Sequence, residues 1–377
     1  MNRLSTPFAP RLHRMALVTL LGPLLGTTAL LAGCERPGMD STQAGYRGTG
    51  MAQVSNPRIV GPIEAAQPLP EPIPAIPSPE GSPLAKDSFK NVQVLGDLPA
   101  GEFTRTMLAI TAWVAPKQGC TYCHAAGEDL SSDKLYTKVV ARKMLQMTRH
   151  INADWQQHVS TTGVTCYTCH RGEPVPAQKW FTAPEPRHAG GASADSGGQN
   201  HPALAAGLSA LAADPLTPYL LGDAPIRSAG AAALPGPVAT RNTASIKQTE
   251  GTFGLMLHMS QSLGVNCTHC HNTRSHASWA DSPLSRTTAF HGIRMARDLN
   301  NAYLVPLTST FPAQRLGPTG DVAKVSCATC HQGLAKPLKG APLLKDHPAL
   351  GGAMVAHAAA ATAVPAAAVT PVAAASR

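Results

Sequence analysis

The sequence predicts a mainly α fold with long irregular segments, arranged as two similar halves related by a pseudo-twofold axis. Three observations predict it. Four stretches carry apolar residues at helical spacing, and each runs toward a Cys-x-x-Cys-His motif. Proline (34 residues) and glycine (33) are dense, while aromatic residues make up only 5% and charged residues 14%, so long segments lack periodicity and a conventional core is under-supplied. The unit of helix, turn and motif recurs in two similar pairs, which is the signature of a duplication.

In chain order, residues 1–33 read as a secretory leader. Arg3, Arg11 and Arg14 precede an apolar run from Met15 to Leu31 that Gly22, Pro23 and Gly26 interrupt. Leu31-Ala32-Gly33-Cys34 resembles the bacterial lipobox, whose cysteine becomes the lipidated first residue of the mature chain. A leader left uncut would act as a single anchor instead, and both readings tether the chain outside the cytoplasmic membrane. Residues 34–90 are rich in proline and predict an extended, semi-rigid anchor and linker segment.

A first half follows over residues 91–186. Phe103, Met107, Ile110 and Val114 form a one-sided stripe that stops at Pro116. Ser131 or Ser132 can cap a second helix, whose stripe is Val140, Met144, Met147 and Ile151. Residues 187–240, full of Gly, Ala, Ser and Pro, read as a connection. The second half, 241–345, repeats the first with one stripe at Phe253, Met256, Leu257 and Ser260, and another at Ala289, Ile293, Ala296, Asn300 and Leu304. Gly264-Val265-Asn266-Cys267 echoes Gly163-Val164-Thr165-Cys166, and Cys330-His331-Gln332-Gly333 echoes Cys169-His170-Arg171-Gly172. Residues 346–377 form an Ala-rich tail that reads as disordered.

Eight of the nine cysteines fall into C-x-x-C pairs, each followed by histidine. The pairs are Cys120 and Cys123 with His124, Cys166 and Cys169 with His170, Cys267 and Cys270 with His271, and Cys327 and Cys330 with His331. C-x-x-C alone is shared with zinc ribbons and redox disulfides. Histidine is only 15 of 377 residues, so four of four by chance is on the order of a few in a million, and the spacing points to c-type haem attachment. Two thiols bind the porphyrin and the next histidine ligates iron. The class is therefore a multihaem cytochrome c with four covalently bound haems in two dihaem halves.

The formal charge of +9 falls to +6 once Arg3, Arg11 and Arg14 leave with the leader. About eight propionates, offset by roughly one positive charge per ferric haem, bring the loaded protein near neutrality, which gives nucleic-acid binding no support.

The sixth ligand of each iron separates electron transfer from catalysis. Methionine raises the potential, a second histidine lowers it, and an open position permits substrate chemistry. Met107, Met144 and Met256 lie on the stripes before the first three motifs; Met147, Met259 and Met295 are rivals, and methionine also packs well without any ligand role. The chain over residues 90–345 resembles the tetrahaem cytochrome subunit of bacterial photosynthetic reaction centres. That family places methionines thirteen, twenty-two and eleven residues before the first three motif cysteines, and a histidine eight residues before the second motif. These offsets fall on Met107, Met144, Met256 and His158. The resemblance implies that His158 ligates the fourth haem, and that an arginine of the Arg286 and Arg294 region lies near a haem. It further implies a lipid-anchored electron carrier on the periplasmic face of the photosynthetic membrane, not an enzyme. Electrons would pass from a soluble cytochrome c or high-potential iron-sulfur protein to the bacteriochlorophyll special pair held by the L and M subunits. A periplasmic multihaem reductase is the alternative and needs one open haem. A quinol-oxidising membrane cytochrome would expect a retained spanning helix and mostly bis-histidine ligation.

Overall fold

The computed structural model describes residues 38–43, 52–184, 211–228 and 245–351. The leader, Cys34, most of the 187–240 connection and the tail beyond residue 351 lie outside the described residues.

A two-stranded antiparallel ribbon pairs β1 (Asp40–Gln43) with β2 (Ala52–Ser55), placing Asp40 opposite Ser55. Helix α1 (Pro57–Ala65) starts on Asn56, whose side chain accepts from Arg58 N, with Pro57 where a missing N–H is harmless. The proline-rich stretch around it runs as a strap over both halves of the chain. Gln67 donates to Gln332 O (2.8 Å), Tyr167 Oη to Pro68 O (3.0 Å), and Thr268 Oγ1 to Ala52 O (2.7 Å). Arg105 Nη2 holds Ile73 O at 3.0 Å. Extended proline segments cannot pair their own backbone, so side chains of the body satisfy it.

After the short α2 (Ala85–Ser88), each of four long helices precedes one motif: α3 (Ala100–Val114), α4 (Tyr136–Asp154), α8 (Ile246–Leu263) and α9 (Leu284–Leu299). Between them lie α5 (Gln156–Val159), α6 (Cys166–His170) and α7 (Thr217–Leu220), with α10 (Cys327–His331) last. Helix α3 has two working faces. Arg105, Thr106, Ala109 and Trp113 are buried against protein, whereas Phe103, Met107, Ile110 and Val114 line a cavity. The α4 stripe of Val140, Met144, Met147 and Ile151 lines the same cavity.

Three sequence expectations are corrected. Helix α4 begins at Tyr136 with no side-chain cap, so Ser131 and Ser132 sit in the preceding turn, where Lys138 Nζ binds Ser132 O. Phe253 on α8 is 49% exposed; the packed face is instead Gly251, Gly254, Leu255, His258 and Met259. Glycine decides that face, because a Cβ on Gly254 would lie 2.7 Å from Pro215. The expected connection also contributes core, since Leu216, Tyr219 and Leu220 of and beside α7 pack on α8 and α9.

Among the described residues two further clusters form. One joins α3, α4 and α6 to Leu338 and Leu350, which is fully buried, so the chain remains packed through residue 350. The other joins Ile151 on α4 to Leu299 at the end of α9 and to Tyr303 in the π-helical turn that follows it.

Candidate haem-binding sites

The second and fourth motifs are short helices opened in the same way. Thr165 N donates to Thr168 Oγ1 (3.0 Å) and Ser326 N to Thr329 Oγ1 (2.9 Å), each within a capping box. Both helices end in a left-handed residue, Arg171 (φ 53°) or Gln332 (φ 50°). The glycine after it is then lashed to a long helix: Gly172 N to Trp113 O (2.8 Å) and Gly333 N to Ser262 O (2.7 Å). The first and third motifs begin in tight 3-10 turns, Gly119–Tyr122 and Cys267–His269.

All four motif histidines bind a backbone carbonyl through Nδ1. The partners are Leu130 O for His124 (2.9 Å), Glu173 O for His170 (2.9 Å), His276 O for His271 (3.0 Å) and Leu334 O for His331 (2.9 Å). A carbonyl only accepts, so Nδ1 carries the proton and Nε2 presents its lone pair, the tautomer a metal-ligating imidazole needs. Burial pushes the pKa of His170, His271 and His331 down, that of His331 to about 4, which keeps these rings neutral.

His158, on α5, follows the same rule. Its Nδ1 donates to Thr288 O (2.9 Å) on α9, and burial lowers its pKa. Its ring faces His331 with centroids 6.0 Å apart and planes at 65°. Two imidazoles sharing one metal at about 2 Å metal–nitrogen distances would hold their centroids roughly 6 Å apart, so the pair fits a bis-histidine iron. Gly292 makes the approach possible, because a Cβ there would lie 2.5 Å from His158 Cε1.

A cavity of about 950 Å³ joins the first two sites. Met107 and His124 line it with Cys120 and Cys123; Met144 and His170 line it with Cys166 and Cys169. The apolar stripes of α3 and α4 form much of its wall, a surface suited to flat apolar macrocycles, and charged side chains such as Lys138, Arg142 and Lys324 also line it. Met256 packs half-buried beside Leu255 and Met259, and neither it nor His271 touches this cavity. Cys166 and Cys327 are partly buried, and desolvation raises their thiols to about 11.

Cys169 and Cys330, of the second and fourth motifs, are joined sulfur to sulfur, with Cα atoms 4.5 Å apart, where α6 and α10 meet. A sulfur bonded to its own Cβ and to a partner sulfur has no valence left for a porphyrin. Haem attachment at the two motifs therefore needs both sulfurs free, and the short Cα separation places the motifs side by side.

Sequence reasoning missed the residues that hold the motifs in place. Asn152 pins Val164 through both N (2.7 Å) and O (2.9 Å), two residues before Cys166. Asn300 pins Val325 in the same way (2.9 and 3.0 Å), two residues before Cys327. The two asparagines stand at different distances from their motifs, so the repeat does not show along the chain. Arg286 donates to Ser278 O (2.7 Å) and lies 4.1 Å from the Trp279 ring centroid, while Arg294 lies 5.7 Å from that of Phe290.

Thiol pairs followed by imidazoles with bare Nε2 atoms, two of them opening on an apolar cavity, define a covalent-haem protein of the cytochrome c class. The chain belongs to the photosynthetic reaction centre cytochrome c subunit family, whose profile matches residues 35–351. It is 51% identical over 344 residues to the photosynthetic reaction center cytochrome c subunit of Rubrivivax gelatinosus, covering 91% of this chain and 92% of that one. The corresponding subunit of Thermochromatium tepidum is 48% identical over 357 residues, covering 94% and 86%. Cytochrome c-554 of Chloroflexus aurantiacus is 27% identical over 301 residues, covering 66% and 69%. The chain is thus a haem-bearing electron-transfer component of photosynthesis, associated with the photosynthetic membrane. Among the described residues no helix is long and apolar enough to cross a membrane.

Proposed function

We propose that the chain holds four covalent haems, three with His/Met and one with His/His axial ligands, and relays electrons without substrate bond chemistry. The observation that carries this reading is the shared tautomer of the five histidines, with His158 and His331 poised 6.0 Å apart. One-electron exchange at iron is what the bound haems supply. The chain's own residues do the rest. Met107, Met144 and Met256 would close the sixth positions of the first three irons with a thioether, which favours the ferrous state, and His158 would close the fourth with an imidazole, which does not.

Two dihaem halves, 91–186 and 241–345, are supported by the matching capping boxes, left-handed exits and asparagine pins. The path then runs first, second, fourth, third motif. The first and second share a cavity, the second and fourth meet at Cys169 and Cys330, and the fourth is lashed to α8 through Gly333 and Ser262. An electron would enter from a soluble cytochrome c or high-potential iron-sulfur protein and leave for the special pair held by the L and M subunits. Cys34 would carry the lipid that keeps the chain on the periplasmic face; the family match beginning at residue 35 supports that site. A redox titration tests the ligand set. It should resolve four haems in at least two potential classes, and four equal low potentials would contradict it.

A further inference from the structure

Arg171 stands at the seam between the second and fourth motifs. Its Nη2 donates to Cys330 O at 3.1 Å, and its guanidinium carbon lies 5.8 Å from the Tyr167 ring centroid. Its Nε and Nη1 are buried and have no hydrogen-bond partner. Arginine keeps its charge at neutral pH, and a buried charged donor without an acceptor is strongly disfavoured. Three cations on the neighbouring cavity, by contrast, are engaged by carboxylates: Lys138 and Arg142 by Asp133, and Lys324 by Asp321. The repeat position holds Gln332, neutral and bound to Thr329 O at 3.2 Å, so only one of the two matching motifs carries the charge.

We propose that Arg171 binds a carboxylate of the porphyrin propionate class at this seam, giving one of the two central haems a fixed cationic partner. This assignment rests on the haem reading of the second and fourth motifs. A positive charge beside the iron disfavours its oxidised form and raises its potential.

The test substitutes Arg171→Gln, which copies the repeat, and Arg171→Lys, which keeps the charge but not the planar fork. Haem content is measured from the pyridine haemochrome spectrum, and midpoints from a redox titration at several pH values. With four haems retained, Arg171→Gln should lower one of the two central midpoints by about tenfold in the reduction equilibrium, about 59 mV for one electron. That midpoint's pH dependence should also move, because the freed carboxylate titrates at higher pH. Arg171→Lys should give a smaller shift of the same haem, and it decides the matter if Arg171→Gln fails to assemble. Four unmoved midpoints in the assembled variants, or equal shifts of all four, would overturn the assignment. Fewer than four haems in the unsubstituted protein would overturn the haem reading itself.

Discussion

The His158–His331 pair depends on a residue with no chemistry of its own. Gly292 on α9 leaves the room that the imidazole occupies, and alanine there would press on Cε1 from 2.5 Å. Gly292→Ala is expected to destabilise the protein by about 1–3 kcal/mol and to open the fourth iron, so reduced protein should begin to bind carbon monoxide. Absence of that spectral change would show that His158 does not close the site. His158→Met should raise the potential of one haem alone, since a thioether favours ferrous iron, and a redox titration reads it directly. His158 stands out in the chain only through its offset within a resembling family; as a lone loop histidine it carries little signal. Gly292 was not legible, because its role exists only against a side chain more than a hundred residues away.

At the scale of elements, α4 and α9 are joined by an ionic latch. His150 on α4 bonds Asp154 through Nδ1 (2.7 Å) and Asp298 on α9 through Nε2 (2.6 Å), and Trp155 Nε1 also reaches Asp298 (3.0 Å). Tyr303 and Lys143 complete the surroundings; burial pushes the Tyr303 phenol up to about 12, so it stays neutral. The hydrogen bond to Asp298 raises the His150 pKa above its ordinary 6.5. Protonated His150 therefore contributes fully below about pH 6.5, and the contribution is lost as pH rises through the raised value. His150→Gln should remove about 1 kcal/mol at pH 6, a figure discounted for partial exposure, and much less at pH 9. Denaturant unfolding at the two pH values checks it, and an equal loss at both would contradict the latch. Asn300→Ala leaves the Val325 amide unpaired, while its carbonyl keeps the Trp180 indole N–H, and should lower stability by about 1–3 kcal/mol; Asn152→Ala, which strips Val164 of both bonds, should cost at least as much. Stripes of large residues marked α3 and α4 correctly, because those faces meet a cavity. The α8 face was misread, because it is packed through small residues that a search for bulky apolar periodicity passes over.

At the scale of the whole molecule, side chains alone form three modest clusters among the described residues, and two long helices turn an apolar face to a void of about 950 Å³. Much of the interior is therefore expected to be porphyrin, and protein made without haem should lose most of its helix in circular dichroism. Native helix content in such protein would contradict this. The proline-rich composition suggests extended chain, but it shows neither helix α1 (Pro57–Ala65) nor the strap's course over Gln332, Tyr167 and Arg105, which depends on hydrogen-bond partners that exist only in the folded body. The proposed row of four six-coordinate irons feeds the photo-oxidised reaction centre. Its most direct test is a single flash given to membranes that contain this chain, with absorbance followed in the haem α band. The account predicts rapid haem oxidation after the flash, absent from membranes lacking the chain. A flash that oxidises the special pair and leaves every haem of the assembled subunit reduced would contradict it.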